Sequence, residues 1–401
     1  MDGKSVFPDP ALELSADIII VGAGVAGTTA AAVLHRQGWR VMLVDAQATC
    51  PPIFKAEKVE GEGLRLLREL GLFDPLLPFS GRIEEVCVAY DGHIFKKQDR
   101  EQIGISYSDL VNTLRANLST DIQTKLGRVN QITREETKTT VYLDNGEKVT
   151  ARLAVLACGV SKHLLSSLGL RLSVVQKDQS SVAGFNIVPT GSRAFDFDSV
   201  TSYPTDPAFR IGYLNLFKVS DGMRANLFAY HAPNDALMRE VHQNPKAFLD
   251  RAFPKLSRII GEYEVAGKVV TSCVDLYRTE GEIPDGAVLI GDAFQNSCPV
   301  TGCGYAKVFT DVNVLAECVP VWFSTSGMGA DKLKVFYEDT RKKTEDANSL
   351  HRAFYDRLEA LSMEPRWRLR RAMLHVRRHL TRTKPRQGRG SRHQEGARAA
   401  A

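Results

Sequence analysis

Short runs in which every residue is apolar recur along the chain and predict buried strands. The first two are Ile18–Val21 and residues 41–44, and the helical pattern between them stops at Gly38. Later in the chain, the stretches at residues 153–159 (LAVLACG) and 287–293 (AVLIGDA) each begin with four such apolar residues. Strands that are apolar on both faces are typical of a parallel sheet covered by helices. The pattern therefore predicts an α/β fold built around a parallel sheet.

A second pattern, the alternation of apolar and polar residues, dominates residues 81–98 and 180–230. Turn-forming pairs such as Asp91-Gly92 and Asp221-Gly222 separate the alternating stretches, which indicates hairpins. Strands of this kind have one face on the core and one open face. We therefore predict an antiparallel sheet apart from the parallel one, with a ligand held between the two.

The turn after the first strand has the GxGxxG spacing of a dinucleotide-binding unit, with Gly22, Gly24 and Gly27 as its glycines. These permit, in order, the tight turn, the approach of a pyrophosphate to the backbone and close packing of helix on strand. Free N–H groups at the helix start would bind the phosphates. Candidate phosphate-binding residues are Gly22, Ala23, Gly24, Val25, Ala26 and Gly27.

An acidic residue ends the second strand of this unit. Asp45 lies 18 residues after Gly27, at the separation where a carboxylate accepts hydrogen bonds from the ribose hydroxyls of an adenosine. Ala46 follows it and is a further candidate cofactor-binding residue. Strand, helix, second strand and terminal acid together predict a dinucleotide cofactor.

Composition limits the class of protein. A chain of 401 residues with 43% apolar residues buries a large core and is expected to form two closely joined domains. No apolar run approaches the roughly 20 residues of a membrane span, and the first ten residues lack a signal pattern, so a cytoplasmic protein is expected. The seven cysteines are scattered without a CxxC pair. We therefore predict reduced thiols and no metal site.

A second motif lies far from the first, in residues 286–318. Asp292 follows a buried strand, Pro299 and the Gly302-x-Gly304 pair follow in a loop, and a helix begins near Tyr305. Together with the N-terminal unit, this stretch resembles the FAD signatures of the class A flavoprotein monooxygenases. This family has the para-hydroxybenzoate hydroxylase fold and includes the ubiquinone-ring hydroxylases; the geranylgeranyl reductases are more distantly similar. The resemblance covers residues 16–355.

The resemblance implies roles for the second motif. Asp292 would accept hydrogen bonds from the ribityl hydroxyls, and the amides of Gly302, Cys303 and Gly304 would face the pyrimidine edge of the flavin, where negative charge collects on reduction. Pro299 would shape the wall over the ring, as the one candidate catalytic position, or would merely end the preceding run.

Three further cofactor contacts are implied by position. Lys55 stands where the family has an Arg near the pyrophosphate, and Tyr107 stands where it has an Arg or Gln near the ribityl chain or phosphates. Val129 is also assigned to the cofactor. Lys58 would reach the phosphates or lie in solvent.

The electron donor implied by the resemblance is NAD(P)H. The family's middle motif, with an Asp-Gly pair, appears here as Cys158-Gly159-Val160-Ser161, so nucleotide handling is altered. A second glycine fingerprint is absent, because Gly327-Met328-Gly329 does not follow a strand pattern. NAD(P)H would therefore bind transiently across the two sheets, or a partner would supply the electrons.

These inferences combine into one architecture, an FAD-binding Rossmann-like parallel sheet with an inserted antiparallel-sheet substrate domain and C-terminal helices. We assign residues 16–80, 99–175 and 283–360 to the FAD-binding part, the last segment including C-terminal helices. We assign residues 81–98 and 176–282 to the substrate domain, and 361–401 to a basic helix and a disordered tail.

The implied function is FAD-dependent hydroxylation of an aromatic, quinol or other unsaturated small molecule through a flavin C4a-hydroperoxide. Two alternatives remain: an FAD-dependent reductase of a polyprenyl or other lipid alkene, and an FAD-binding protein without monooxygenase turnover. Four polar residues near the antiparallel sheet could face the substrate, although a structural role is favoured for each: Tyr213, Tyr230, His231 and Asp275.

Basic charge is concentrated at the C-terminus. Residues 363–401 contain 12 Lys and Arg against two Glu, a balance of +10, so the rest of the chain carries −5 of the total of +5. Apolar residues interleave with the arginines of residues 365–382. This segment predicts a basic helix that contacts anionic lipid, which would suit a lipid-borne substrate, or a solvated tail. Nucleic-acid binding is not expected, since no reading motif accompanies the charge.

Overall fold

The computed structural model describes residues 15–55, 57–135, 137–191, 194–232 and 234–381. The strands are β1 Ile18–Val21, β2 Val41–Asp45, β3 Lys58–Glu60, β4 Gly81–Tyr90, β5 His93–Gly104, β6 Gln123–Leu126, β7 Val129–Arg134, β8 Thr139–Leu143, β9 Lys148–Ala151, β10 Leu153–Leu156, β11 Arg171–Pro189, β12 Ser199–Tyr203, β13 Ile211–Val219, β14 Gly222–Ala229, β15 Tyr263–Glu280 and β16 Ala287–Leu289. The helices are α1 Val25–Arg36, α2 Glu62–Glu69, α3 Tyr107–Ala116, α4 Lys162–Ser167, α5 Ala236–Gln243, α6 Pro245–Ala252, α7 Ser257–Ile260, α8 Gly304–Phe323, α9 Ala330–Glu338, α10 Thr340–Leu361 and α11 Pro365–Leu380.

The apolar runs form the predicted parallel sheet, in the order β16-β10-β1-β2-β6. Each neighbouring pair is parallel, and β1 lies at the centre between β10 and β2. Helices α1, α3 and α8 cover one face with a large apolar core. The small sheet β7-β8-β9 and α4 cover the other face, so the central strands are buried on both sides, as their sequences require.

Alternating strands build an eight-stranded sheet in the order β15-β11-β14-β13-β12-β4-β5-β3. Most of its pairs are antiparallel, but β4 and β12 are parallel, so the sheet is mixed rather than the purely antiparallel sheet that the sequence predicts. On β14, Ala225 and Leu227 face a core shared with α5, α6 and α7. Phe228 packs on the opposite side, where the loop after β16 lies. The alternation thus gives this sheet one core face and one face toward the second motif.

The fold class is confirmed: an α/β FAD-binding architecture with a second sheet and C-terminal helices. The domain boundaries stay a prediction, and two strands cross them, because β5 continues past residue 98 to Gly104 and β11 begins at Arg171 rather than at 176. The predicted basic helix corresponds to α11. The predicted disordered tail, residues 384–401, lies outside the described residues. Within those residues, no helix is long and apolar enough to cross a membrane.

Candidate functional site

Two of the three motif glycines are required by their contacts. Gly22 has φ +102°, and a Cβ there would lie 2.5 Å from the Ala157 carbonyl oxygen. A Cβ on Gly27 would lie 1.8 Å from the Gly22 oxygen, which no side chain tolerates. Gly24 differs, because its φ of −73° is open to any residue and a Cβ would meet only the Tyr107 hydroxyl, at 3.0 Å. The turn is therefore built by Gly22 and Gly27 and is left accessible at Gly24.

The carboxylate of Asp45 ties the end of β2 to this turn. Its Oδ2 accepts a 2.7 Å hydrogen bond from the Ala23 N–H, and its Oδ1 accepts one of 2.8 Å from the Gln47 N–H. Its carbonyl oxygen accepts from the Gly127 N–H at 2.9 Å, just before β7 begins at Val129. Asp45 therefore lies beside the glycine turn, Ala46 follows it directly, and Val129 begins the neighbouring strand of the small sheet.

Arg115, on α3, is a site residue that sequence reasoning missed. Its Nε donates to the Ala23 carbonyl at 2.7 Å, its Nη1 donates to the Gln47 carbonyl at 2.9 Å, and its Nη2 lies 3.3 Å from Asp45 Oδ2. One largely buried guanidinium thus connects the glycine turn, the acid and the loop after β2. A signal existed in the sequence, because Arg115 follows Tyr107 by eight residues and so shares its helix face.

Tyr107 and Lys55 connect the first motif to the second. The Tyr107 hydroxyl accepts a hydrogen bond from the Val25 N–H at the start of α1, and burial raises the pKa of this phenol. The Lys55 ammonium lies 5.2 Å from the centre of the Tyr107 ring and 3.7 Å from the Asp292 carboxylate. Residues 22–27 and Asp292 therefore belong to one site.

The loop after β16 ends in the start of α8. Pro299–Thr301 forms a short turn, and Gly302 closes it with φ +67°. The Gly302 N–H donates to the Pro299 carbonyl, and the Cys303 N–H donates to Thr301 Oγ1. The Gly304 N–H, at the first position of α8, has no acceptor among the described residues. Of the three amides assigned to the flavin, two are therefore engaged within the turn and one remains available.

Four buried charges hold the backbone of the Gly291-Asp292 turn. Lys307 and Asp311 on α8 alternate with Lys342 and Asp346 on α10, with nitrogen–oxygen distances of 2.8–3.4 Å. Asp311 also accepts from the Gly291 N–H at 2.7 Å. Burial alone would raise the pKa of Asp311, but Lys307 and Lys342 outweigh it and hold the pKa below its usual value. This cluster was not predicted.

Aromatic and apolar side chains fill the space between the eight-stranded sheet and the loop after β16. Tyr213 donates to the Val300 carbonyl at 2.7 Å and packs on Phe228, with ring centres 4.6 Å apart. Ser180 lies 3.3 Å from the Cys298 sulfur. Burial raises the pKa of Tyr213 far above its usual value, so this phenol stays protonated at neutral pH.

Of the four residues considered as substrate-facing groups, three have structural hydrogen bonds. The Tyr213 hydroxyl donates to the Val300 carbonyl. His231 Nε2 lies 2.8 Å from the Phe209 carbonyl, and Asp275 accepts from the Asp178 N–H and the Tyr277 hydroxyl. Tyr230 is buried in the aromatic cluster. The favoured structural role fits all four.

Two other ionisable groups have positions that the sequence did not predict. Asp356 on α10 lies near Tyr213 and Tyr230, and burial raises its pKa. Lys58 lies in β3 at the edge of the eight-stranded sheet, 3.4 Å from Gln102 Oε1, and burial lowers its pKa to about 8. Lys58 is thus partly buried in the eight-stranded sheet, and its ammonium group contacts Gln102 rather than the glycine turn that would bind the phosphates.

The arrangement fits an extended FAD. The accessible backbone at Gly24, beside the start of α1, can receive a pyrophosphate. Asp292 keeps 40% of its side chain exposed next to Lys55, and the available Gly304 amide sits at the positive end of a 20-residue helix. Donors, a cation and a carboxylate, the groups that an FAD requires, are therefore all present at this site.

Comparison with known proteins supports this fit. The FAD binding domain family matches residues 15–347. Squalene epoxidase 4 of Arabidopsis thaliana is 26% identical over 379 residues, covering 87% of this chain and 71% of that protein. Mouse (Mus musculus) squalene monooxygenase is 22% identical over 86% of this chain, which spans 62% of its length.

Among solved structures, p-nitrophenol 4-monooxygenase PnpA of Pseudomonas putida has the same fold. Its TM-score is 0.71 at 16% identity, over 92% of this chain and 95% of that one. The chain therefore belongs to the FAD binding domain family, and the relatives and the solved structure to which it is similar are monooxygenases.

Proposed function

We propose that the protein transfers one oxygen atom from dioxygen to an unsaturated carbon of an apolar small molecule. NAD(P)H would be the electron donor, and its two electrons would reduce the second oxygen atom to water. The observation that carries this proposal is that three features meet at one place: the glycine turn, Asp292 and the aromatic face of the eight-stranded sheet. Lys55 and Tyr107 join the glycine turn to Asp292, and the loop that follows Asp292 packs against the aromatic face of the eight-stranded sheet.

The residues in the first two features would hold FAD. Asp45 and the glycine turn would bind the adenosine and the pyrophosphate, with Lys55 as the cation beside the phosphates. Asp292 would accept from the ribityl hydroxyls, and the Gly304 amide with the α8 dipole would favour negative charge on the flavin ring. Bound FAD would supply the redox chemistry that activates oxygen.

The aromatic face supports an apolar substrate. Tyr213, Phe228 and Val300 belong to it, and apolar surface of this kind excludes water and favours an apolar substrate. The Tyr213 phenol stays protonated and donates a hydrogen bond to the Val300 carbonyl. It therefore orients the loop after β16. Squalene epoxidases match most of this chain, which favours an alkene over an ionised phenol.

NAD(P)H is proposed to bind transiently. Gly327-Met328-Gly329 follows helix α8 rather than a strand, so this glycine pair does not have the βαβ setting of a nucleotide fingerprint. The nucleotide would then approach the flavin ring across the sheets and leave after transferring its electrons.

The test is turnover by the purified full chain reconstituted with FAD. NADH and NADPH oxidation and oxygen uptake are measured with a panel of polyenes, phenols and quinols. We expect an apolar polyene to accelerate both rates and to yield a product that contains one oxygen atom from isotopically labelled dioxygen. Asp292→Ala should lower FAD affinity, while Arg65→Ala, at an exposed position on α2, serves as the matched control.

Other outcomes would replace the proposal. A product reduced at a double bond without oxygen uptake would identify a reductase. Bound FAD that no NAD(P)H reduces and that supports no oxygen uptake with any of these substrates would indicate a binding protein without turnover.

A further inference from the structure

The C-terminal helix α11 presents an apolar stripe to solvent. Leu369, Met373, Val376 and Leu380 are 63%, 63%, 54% and 80% exposed. Their spacing of four, three and four residues places them within about 60° of one another around the helix axis. Four large apolar side chains thus form one continuous line that does not pack on the protein.

The opposite side of α11 is fixed to the body of the protein. Trp367 is buried and packs edge-on against Tyr355 at 5.1 Å. The Arg378 guanidinium lies 3.8 Å from the centre of the Tyr203 ring, and His375 Nδ1 lies 2.5 Å from the Tyr90 hydroxyl. These contacts occupy the side of the helix that faces away from the stripe, so they set its outward orientation.

Arginines flank the stripe on both sides. Arg366, Arg370 and Arg377 lie along one flank and Arg368 along the other, by helical position. The sequence of α11 contains six Arg and no Asp or Glu. Within the part of the chain that the structure describes, no carboxylate lies within ion-pairing distance of Arg368 or Arg377. The stripe is therefore bordered by positive charge that the protein itself only partly neutralises.

We propose that this face of α11 docks on an anionic lipid surface. An interfacial helix buries an apolar face at the headgroup boundary and places cations beside it, and each nearby Arg gains from the negative surface potential. A second copy of the chain fits this face less well, because pairing two such stripes would bring the four flanking arginines of each copy together, eight in all. Docking on lipid does not depend on the proposed reaction.

The experiment is flotation of the purified full chain with vesicles of phosphatidylcholine alone or mixed with phosphatidylglycerol. We expect binding to the mixed vesicles that weakens with salt and is weak on phosphatidylcholine. The variant L369S/M373S/V376S/L380S should bind at least about tenfold less. The variant R368Q/R377Q should lose mainly the salt-sensitive part of the binding.

A matched control removes exposed apolar side chains elsewhere. The variant V321S/V335S changes two valines on α8 and α9 that are 68% and 58% exposed, and it should float like the wild type. Thermal unfolding and sedimentation are recorded for every variant. Equal flotation of the stripe variant and the wild type, or no flotation with anionic vesicles, would refute the proposal. A change from dimer to monomer in the stripe variant would instead identify a contact between copies.

Discussion

Gly24 and Gly27 belong to one motif but have different physical tasks. We expect Gly27→Ala to destabilise the protein without FAD by about 1–3 kcal/mol or more, because its Cβ would overlap the Gly22 carbonyl oxygen. Gly24→Ala should change that stability by only about 0.5 kcal/mol yet weaken FAD binding about tenfold or more, since the methyl group stands where the pyrophosphate approaches. Thermal unfolding without FAD and titration with FAD separate the two effects. Equal destabilisation by both variants would contradict this division.

Lys58 provides a prediction about pH. Burial lowers its pKa from 10.5 to about 8, so between these values the unfolded chain binds more protons than the folded chain, and this contribution to stability rises with pH. The free-energy cost of burying the charged Lys58 ammonium is complete below about pH 8 and absent above about pH 10.5. Lys58→Met should therefore be more stable than the wild type by about 1–3 kcal/mol at neutral pH.

The advantage of Lys58→Met should shrink as the pH rises through this window, as measured by urea unfolding at several pH values. Lys334→Met, at a lysine that is 57% exposed, should show no such trend. A constant difference between Lys58→Met and the wild type at all pH values would show that packing rather than protonation is responsible.

Sequence reasoning identified residues whose neighbours form a motif and missed those that act through tertiary contacts. Gly22 and Gly27 could be predicted because the steric need of a βαβ turn fixes both residue type and spacing. Arg115 and Asp356 belong to no such motif, since their partners are distant in sequence and their burial depends on how α3 and α10 pack. The helical spacing of Arg115 from Tyr107 is a signal for one of the two, and it does not by itself fix a contact.

At the scale of elements, the buried charges of α8 and α10 were unpredictable for the same reason. Lys and Asp four residues apart normally indicate a solvated helix face, yet Lys307 and Lys342 are 1% and 0% exposed. Strands and hairpins were predicted well, because apolar runs and turn pairs are local signals. The parallel pairing of β4 with β12 was not, because paired residues such as Val86 and Ser199 lie 113 positions apart, so no local pattern records their register.

This cluster gives a prediction at the element scale. Lys342→Met should destabilise the protein by about 3–5 kcal/mol, because it leaves Asp311 and Asp346 with one cation between them in a buried site. The double variant Lys342→Met/Asp346→Leu keeps the Lys307–Asp311 pair and should cost less than the single variant. A double-mutant cycle measured by urea unfolding checks this. Additive costs would mean that the two residues act independently.

At the scale of the whole molecule, the site joins segments that lie far apart in the chain. Residues 22–27 and 291–304 meet through Lys55 and Tyr107, and neither segment alone spans an extended dinucleotide. A ligand that contacts both must stabilise both, because it binds the folded chain and not the unfolded one. FAD is therefore expected to couple the parallel sheet to the loop that faces the eight-stranded sheet.

Amide hydrogen exchange tests this coupling. Adding FAD should slow exchange both in residues 22–27 and in residues 302–305, and saturation at about a hundred times Kd should stabilise the fold by about 2.7 kcal/mol. The hairpin at Asn145-Gly146 lies in the small sheet and should exchange unchanged, which makes it an internal control. Asp292→Ala should reduce the protection from exchange in both segments, because a single bound FAD protects both of them. Protection confined to residues 22–27 would mean that only the adenosine end binds here, and the second motif would then need another explanation.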